Sequence, residues 1–251
     1  MPSQQQYGSS IRRETSLFAN WPPNAPREIG DYGRVNGALF EYFGCLGSEE
    51  IATLGKRQSP SAASYDIMIK SSRSVSTHLS AEAKATVGEG KALLEIMFSS
   101  EEGIVFAAPS IRITEISSMA ALGRLLNERR RAGNWIMGHA VVVQVSTAES
   151  ATILLSNQAG AGMQFEVAAD APVNVQLVAG LDAGVSLISS HGVGMKIIGE
   201  GPLTPLFKLA SLKRRVAGDP GIVYREAVTM TETEGELDVH DVDDDYVLVV
   251  G

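Results

Sequence analysis

The sequence predicts an α+β protein: a twisted antiparallel sheet with two long amphipathic β-hairpins and peripheral helices. Residues 65–87 and 173–188 alternate one by one between apolar and polar side chains. Neighbouring side chains on a strand point to opposite faces, so this pattern gives each strand one apolar and one wet face. Three other stretches, 9–20, 117–131 and 204–215, instead have the capping residues, prolines and leucine spacing typical of helices.

The N-terminal part is predicted to hold one short helix and one short hairpin. Ser9 or Ser10 can cap a helix that ends near Asn20, before Trp21-Pro22-Pro23. Asn36-Gly37 then marks a two-residue turn inside a hairpin at 30–46. A type I′ turn needs positive φ at both central residues, and Asn and Gly are the residues that adopt it most readily. Residues 47–64 are rich in Ser, Ala and Pro towards their end and are expected to form a loop.

The first alternating stretch is longer than an ordinary strand. Apolar residues dominate the odd positions of 65–87, and Met68 is the one apolar residue at an even position from Asp66 to Thr86. Strands in globular proteins usually have about 5 or 6 residues, whereas a membrane-spanning strand needs about 9 to 11. We therefore predict one strand over 65–87 that is long enough to cross a bilayer, followed by a returning strand over 91–106.

A helix and a second strand pair follow. Ser117 or Ser118 can cap a helix that ends in Arg129-Arg130-Arg131 before Gly133. Basic residues in a last turn are favoured by the helix dipole, so the three arginines have a structural explanation as well as a membrane-binding one. Strands at 137–155 and 173–188 come next, separated by a segment rich in small residues.

The last predicted elements are a helix and a closing edge strand. Thr204-Pro205 places proline at a first helical position, and this helix would end in Lys213-Arg214-Arg215. Residues 246–250 are apolar enough for an edge strand.

Composition places the chain among globular proteins, with 44% hydrophobic and 20% charged residues. No run of about 18 uncharged apolar residues occurs, so no transmembrane helix is predicted. The N-terminus lacks the apolar core of a signal peptide, and we expect a cytoplasmic protein. The single cysteine, Cys45, has no disulfide partner and is expected to be a buried small hydrophobe.

Acidic residues are concentrated at the C-terminus. The last 22 residues contain eight Asp and Glu and no Lys or Arg. The remaining 21 of the 29 acids balance the 21 basic residues, so the body is neutral overall and the net charge of −8 comes from the tail. Such a tail is either a solvated end or a screen for basic surfaces.

Signatures of enzymes, cofactors and metals are missing from the sequence. Neither a phosphate-binding loop nor a Gly-x-Ser-x-Gly nucleophile elbow occurs. The four histidines, His78, His139, His191 and His240, stand far apart without a second ligand at helical or turn spacing. An acidic chain without a basic stripe is not expected to bind nucleic acid.

The order of two amphipathic hairpins around a basic-ended helix, preceded by a short helix with arginines, resembles the pore-forming domain of gasdermins over about residues 10–216. The segment from Pro22-Pro23 to Gly44, with Gly30-Asp31-Tyr32-Gly33 and the Asn36-Gly37 turn, is similar to the fungal regulator-of-cell-death group of short gasdermin-like proteins. Residues 1–229 would then be a gasdermin N-terminal-domain-like pore-forming domain. Residues 230–251 would be an acidic tail and no separate inhibitory domain.

This resemblance implies a membrane pore-forming cell-death effector. Such a protein binds anionic phospholipids of the inner leaflet, oligomerises, alone or with a sequence variant of itself, and moves from cytoplasm to plasma membrane. Open sheet edges cannot exist in hydrocarbon, so four strands of one subunit cannot span alone and the barrel needs many copies. The candidate lipid-binding residues are Arg12, Arg13, Arg129, Arg130, Arg131, Lys213, Arg214 and Arg215. The candidate membrane-facing residues are Ile67, Ile69, Val75, Leu79, Val175, Leu177, Leu181, Val185 and Leu187.

Two alternatives remain open on the sequence alone. A soluble β-sandwich or curved sheet that serves as a binding module would also alternate, because one face of each strand packs on a core. A different family of β-barrel pore-forming proteins would show the same alternation of apolar and polar residues along its strands. The soluble-module hypothesis accounts for one alternating strand of ordinary length. It accounts less well for two alternating stretches that are each about twice as long as an ordinary strand.

Overall fold

A computed structural model describes residues 4–22, 24–59, 65–70, 75–80, 91–100, 103–168, 186–214, 238–243 and 246–251. Within these residues three helices and fourteen strands occur, and each pairing with a defined register is antiparallel. The predicted α+β class with a mostly antiparallel sheet is confirmed. The chain divides into two compact units, Met1–Ser10 with Ala62–Ile111 and Ala148–Leu203, and Ile11–Ser61 with Arg112–Thr147 and Thr204–Gly251.

The elements are named in chain order. The helices are α1 (Gln4–Thr15), α2 (Ser48–Leu54) and α3 (Met119–Arg131). The strands are β1 (Phe18–Ala19), β2 (Asp31–Asn36), β3 (Leu39–Cys45), β4 (Lys56–Gln58), β5 (Tyr65–Lys70), β6 (Val75–Ser80), β7 (Lys91–Phe98), β8 (Ile104–Ile116), β9 (His139–Ser156), β10 (Ala161–Ala168), β11 (Ser186–His191), β12 (Val193–Arg214), β13 (Asp238–Asp243) and β14 (Tyr246–Val250).

The unit that begins at Ile11 is built on strands in the order β13, β14, β12, β9, β2 and β3. Its core is a buried apolar cluster to which the sheet, α2 and α3 all contribute. Leu122 and Leu126 of α3 are fully buried, as are Val141 and Val142 of β9. The helix is amphipathic because these leucines recur at i and i+4 and so lie on one face.

The unit that begins at Met1 is built on a four-stranded sheet in the order β11, β10, β7 and β6. The first part of β8 also pairs with β5 in this unit, where Ile67 lies opposite Ala108. A second buried cluster joins β7 and β10 to Val105 and Ala107 of β8 and to Leu154 of β9.

The strand predicted over 65–87 lies only partly within the described residues. Residues 65–70 pair with β8, whereas residues 75–80 pair with β7, so the two described parts do not share the single returning partner that was predicted. The returning strand is divided in the same way into β7 and β8. Residues 71–74 and 81–90 lie outside the described part.

The helix predicted from Thr204-Pro205 is wrong, because residues 204–214 belong to β12. This strand lies between β14 and β9, and Leu206, Phe207, Leu209, Ala210 and Leu212 are all buried. A strand covered on both faces carries a continuous apolar run instead of alternation. Such a run cannot be distinguished from a buried helix by periodicity alone.

Helix α3 agrees with the prediction. Ser118, one of the two proposed caps, accepts a hydrogen bond from the Ala121 N–H at 3.2 Å. After the helix ends, Gly133 adopts φ +76°, a conformation that glycine tolerates without the strain of a side chain.

The N-terminal elements are shifted from their predicted positions. The first helix spans Gln4–Thr15 and does not reach Asn20, because Ser16 has φ +59° and breaks the helical geometry. The hairpin of β2 and β3 is present, but its two-residue loop is Gly37-Ala38. Among those loop residues Gly37 takes positive φ, at +63°.

Other elements replace predicted loops and edges. Helix α2 and strand β4 lie within the predicted loop 47–64, and β10 lies within the predicted connector after residue 155. Strand β14 is confirmed at 246–250, but it is not the edge, because β13 pairs with its outer side.

Candidate functional site

The four-stranded sheet carries a continuous polar row on one face. The backbone register places His78 opposite Glu95, Glu95 opposite Gln164, and Gln164 opposite Ser189. The side chains are joined as well. Gln164 Nε2 donates to Glu95 Oε1 at 3.0 Å, and Ser189 Oγ donates to Gln164 Oε1 at 2.9 Å. This row therefore crosses β6, β7, β10 and β11 without interruption, with His78 and Ser189 exposed.

The alternate residues of the same strands are apolar and buried. Leu94, Ile96 and Phe98 of β7 lie opposite Phe165, Met163 and Ala161 of β10, and all six have an exposure of 1% or less. They pack against Val105, Ala107 and Leu154. The predicted two-faced character is thus present, and in this structure protein covers the apolar face.

The candidate membrane-facing residues are only partly within the described chain. Val75, Leu79 and Leu187 lie opposite Phe98, Leu94 and Phe165, which are buried residues of the apolar face. Ile67 and Ile69 lie on β5, opposite Ala108 and Phe106 of β8. Val175, Leu177, Leu181 and Val185 lie outside the described residues. Their membrane contact stays a prediction.

The arginines at the end of α3 already have protein partners. Arg129 Nε and Nη2 donate to the two carboxylate oxygens of Glu50 at 2.8 and 2.5 Å. These bonds lower the pKa of Glu50 and raise the pKa of Arg129. Arg130 donates twice to Asn127 Oδ1, at 3.0 and 2.8 Å, and its guanidinium lies 4.0 Å from the centre of the Tyr246 ring. Arg131 is exposed.

The two candidate arginines of α1 differ in exposure. The Arg12 guanidinium lies 3.9 Å from the centre of the Phe18 ring and donates to the Ser16 carbonyl at 3.0 Å. Burial lowers the pKa of Arg12 to about 10, so it remains charged at neutral pH. Arg13 is exposed and lies 3.4 Å from Glu14. Arg13 is thus the more accessible of the two.

The third basic cluster is not at a helix end. Lys213 and Arg214 are the last residues of β12, where they lie opposite Val247 and Tyr246 of β14. Arg214 is exposed, and Arg215 lies outside the described residues. Because Lys213 and Arg214 end a strand, a helix dipole does not explain their position.

Part of the acidic tail is an ordered strand. Asp238, Asp241 and Asp243 lie on β13, which pairs with β14 along its whole length. Residues 230–237, 244 and 245 lie outside the described part. Three acidic residues of the tail thus belong to a strand of the sheet in this unit.

Sequence reasoning missed two features of this unit. The loop after α3 and strand β3 expose four large hydrophobic side chains, Tyr42, Phe43, Ile136 and Met137. The apolar run Trp135-Ile136-Met137, which follows Asn134, was the available signal. Cys45 was expected to be buried but is exposed, and partial desolvation together with Asp31 raises the pKa of its thiol.

Arg27 is the second missed feature. Its side chain is 8% exposed, lies 3.5 Å from Asp31 Oδ2, and donates to Asn20 Oδ1 at 3.2 Å. Aromatic rings of Phe40, Tyr42 and Phe207 have their centres within 5.3 to 5.7 Å of the guanidinium. This buried cation ties the chain before β2 to the hairpin and to β12.

The described residues offer neither a cluster of metal ligands nor a helix that could span a membrane. Among the described residues, no three His, Cys, Asp or Glu side chains stand together as metal ligands. The helices of the described chain are too short or too polar to span a membrane.

The fold was compared with known families, curated proteins and solved structures. Neither the protein-family models nor the curated proteins match this chain. Among solved structures, the chain is similar to the gasdermin A3 membrane pore, determined by cryo-EM. The two are 11% identical, with 92% of this chain and 98% of that chain covered and a TM-score of 0.30.

Proposed function

We propose that this chain is a gasdermin-type pore-forming protein that acts as a cell-death effector. In this proposal β6–β7 and β10–β11, with the segments that connect them, become two membrane-spanning hairpins per subunit. The observation that carries the proposal is the two-faced sheet: one polar row crosses both strand pairs, and apolar residues occupy the alternate positions. A barrel wall needs this distribution, with apolar residues towards lipid and polar residues towards a water-filled lumen.

The connecting sequences supply the length that the described strands lack. The apolar and polar alternation continues through 81–87 and through 173–185. A spanning strand needs about 9 to 11 residues, more than β6, β7, β10 or β11 has on its own. The hairpins of the pore would therefore draw on 81–90 and 169–185.

Exposing the apolar face of the four-stranded sheet to water would cost free energy. The sheet should therefore open only as its strands enter the membrane. Five large side chains of the apolar face, Leu94, Ile96, Phe98, Met163 and Phe165, are fully buried against the protein. Each contributes about 1.5 to 3 kcal/mol by burial, so exposing the face to water would cost on the order of 10 kcal/mol. Lipid replaces the lost burial, so a pore forms at a membrane and the monomer keeps the face covered in water.

Recruitment to the membrane is assigned to the basic residues. Arg13, Arg131 and Arg214 are exposed, and each cation near an anionic leaflet is worth about 1 kcal/mol. The proposal places the monomer in the cytoplasm and the assembled ring in the plasma membrane, with anionic inner-leaflet phospholipids as ligands. Assembly involves copies of this chain, alone or paired with a sequence variant as in the fungal group.

Vesicle leakage tests the proposal. The purified chain should release a trapped dye from vesicles that contain phosphatidylserine, and much less from neutral phosphatidylcholine vesicles. Negative-stain images of the same vesicles should show rings. A folded chain that binds neither vesicle and releases no dye would return the protein to the alternative, a soluble β-sheet interaction module.

A further inference from the structure

Three connections between strands lie side by side at one end of the four-stranded sheet, all within the unit that begins at Met1. They join β7 to β8, β9 to β10 and β11 to β12, and each carries the chain between this sheet and the larger one. The register places Phe98, at the end of β7, opposite Ala161 of β10, and Gly162 opposite His191, at the end of β11. Strands that pass from one sheet to another do so through bends. We call the described residues of these bends the corner: Ser99, Ser100, Gly103, Asn157, Gln158, Ala159, Gly160 and Gly192.

Hydrogen bonds join the neighbouring connections of the corner to one another. The Gly160 N–H donates to the Phe98 carbonyl at 2.8 Å, which joins the middle connection to the end of β7. The Asn157 N–H donates to the Gly192 carbonyl at 3.2 Å, and the His191 ring donates from Nε2 to the Gly160 carbonyl at 2.9 Å. The connection between β9 and β10 is therefore bonded to both of its neighbours.

Ser156, the last residue of β9, makes three hydrogen bonds to the connection between β7 and β8. Its side chain is fully buried. The hydroxyl donates to the Ser100 carbonyl at 2.5 Å and accepts a hydrogen bond from the Gly103 N–H at 3.0 Å. The Ser156 N–H also donates to the Gly103 carbonyl at 3.0 Å. One residue thus binds the chain shortly after β7 ends and again directly before β8 begins.

The same connection packs closely against the apolar face of the four-stranded sheet. A Cβ atom at position 103 would lie 2.3 Å from Cδ1 of Phe98 and 3.1 Å from the Ser156 hydroxyl oxygen. Glycine is therefore required at this position, because it alone lets the backbone come this close to a side chain. Phe98 is 1% exposed and belongs to the buried apolar cluster of this unit. The hydrogen bonds of Ser156 thus hold Gly103 against a residue of the face that the proposed function requires to open.

We propose that Ser156 is a conformational lock that holds the four-stranded sheet closed in the monomer. The inference rests on the proposed function, in which β6–β7 and β10–β11 leave this arrangement and span the membrane. In the monomer β7 and β8 belong to different sheets, and the chain between them is bent at the corner. The Ser156 hydroxyl bonds to both sides of that bend and so stabilises the closed arrangement alone. Its removal should shift the equilibrium towards the open arrangement by the same free energy.

A second buried serine on β9 provides a matched control. Without the Ser156 hydroxyl, the buried Gly103 N–H and the Ser100 carbonyl both lose a hydrogen-bond partner, which costs more free energy than the bond itself contributes. Ser146 is also fully buried, but its hydroxyl has no hydrogen-bond partner among the described residues. Serine-to-alanine changes at the two positions are chemically identical, so a difference between them reports on the corner.

Hydrogen exchange measured by NMR without membranes tests the lock by itself. In Ser156→Ala the Gly160 amide should exchange about tenfold faster than in wild type, although its own acceptor, the Phe98 carbonyl, is unchanged. In Ser146→Ala it should exchange at the wild-type rate. Ser156→Cys retains a weak donor, should give a smaller acceleration, and replaces the alanine variant if urea unfolding shows that the latter does not fold. Faster exchange at Gly103 with no change at Gly160 would overturn the proposal.

Dye release then connects the lock to the pore. On phosphatidylserine vesicles Ser156→Ala should release trapped dye about tenfold faster than wild type, and Ser146→Ala should release it at the wild-type rate. Equal release rates for Ser156→Ala and wild type would overturn the role of the lock in opening. If wild type and both variants release no dye, the proposed function fails, and the exchange of the Gly160 amide still decides whether Ser156 holds the corner closed.

Discussion

Arg129 of α3 donates two hydrogen bonds to the carboxylate of Glu50 in α2, at 2.8 and 2.5 Å. Glu50 also accepts a hydrogen bond from the Gly47 N–H at 2.7 Å. The same carboxylate therefore caps the N-terminus of α2 and binds α3 through Arg129. Two-pronged arginine–carboxylate pairs are among the stronger ion pairs in proteins because their geometry is fixed. This contact makes Arg129 a structural residue before it can be a lipid ligand.

The stability supplied by Glu50 should depend on pH. Arg129 lowers the pKa of Glu50 in the folded chain, so the contribution is full above the unfolded value of about 4.3 and is lost as pH falls through the folded pKa. Glu50→Gln should cost about 1 kcal/mol at pH 7, the upper end of the range for ion pairs near the surface. Urea titrations should show the difference between wild type and Glu50→Gln shrinking below pH 4. A difference that stays constant to pH 3 would contradict the assignment.

Exposed Arg131 should contribute more to lipid binding than its neighbours. Arg131→Ser should weaken binding to phosphatidylserine vesicles by about 1 kcal/mol at low salt, and less at high salt because ions screen the attraction. Arg124→Ser is the matched control, since Arg124 is exposed on the same helix but outside the terminal cluster. If both variants lost the same binding free energy, vesicle binding would depend on the total charge of the protein and not on the cluster at the end of α3.

Replacing Arg27 should be among the most damaging changes in the unit. Arg27→Met leaves Asp31, whose side chain is 10% exposed, without its cation, and breaking a buried pair costs about 3 to 5 kcal/mol. Adding Asp31→Asn should restore a large part of this loss, because the amide oxygen can still accept the Glu28 N–H that Asp31 accepts at 3.0 Å. Urea unfolding of both variants measures the effect, and additive losses in the double variant would refute the pairing.

The acidic tail should restrain membrane binding if it screens basic surfaces. Changing its eight acids to Asn or Gln keeps the backbone of β13 and β14 and removes only charge. This variant should bind anionic vesicles more tightly and be more toxic when expressed. The changed residues are Glu232, Glu234, Glu236, Asp238, Asp241, Asp243, Asp244 and Asp245. A folded variant with wild-type binding would exclude the screening role.

Sequence alone predicted the fold class, α3 with its Ser118 cap, the first hairpin and the two-faced strands. These features depend on local signals: a capping serine, a turn glycine and alternation on a half-buried sheet. Helix α2 was missed although Glu49 and Glu50 in its first turn and Gly55 after its end are helix signals.

The errors occur where tertiary packing decides. Burial on both faces of β12 hid its strand period, and no local rule shows that residues 65–70 pair with β8 while 75–80 pair with β7. The partners of the candidate arginines were likewise hidden, because Glu50 lies far from Arg129 in the sequence. Proximity in space, and not residue type, determines which cations are accessible.

Dye release by a matched pair of variants tests the central claim most directly. Leu181 and Asp182 are sequence neighbours in the second alternating stretch, so the proposal places Leu181 against lipid and Asp182 in the lumen. Arginine on the lipid face near the midplane costs about 2 to 4 kcal/mol in every subunit of the ring. With both variants confirmed as folded, Leu181→Arg should release no dye from phosphatidylserine vesicles, and Asp182→Arg should release dye as wild type does. Equal release from both variants would contradict the spanning-strand account.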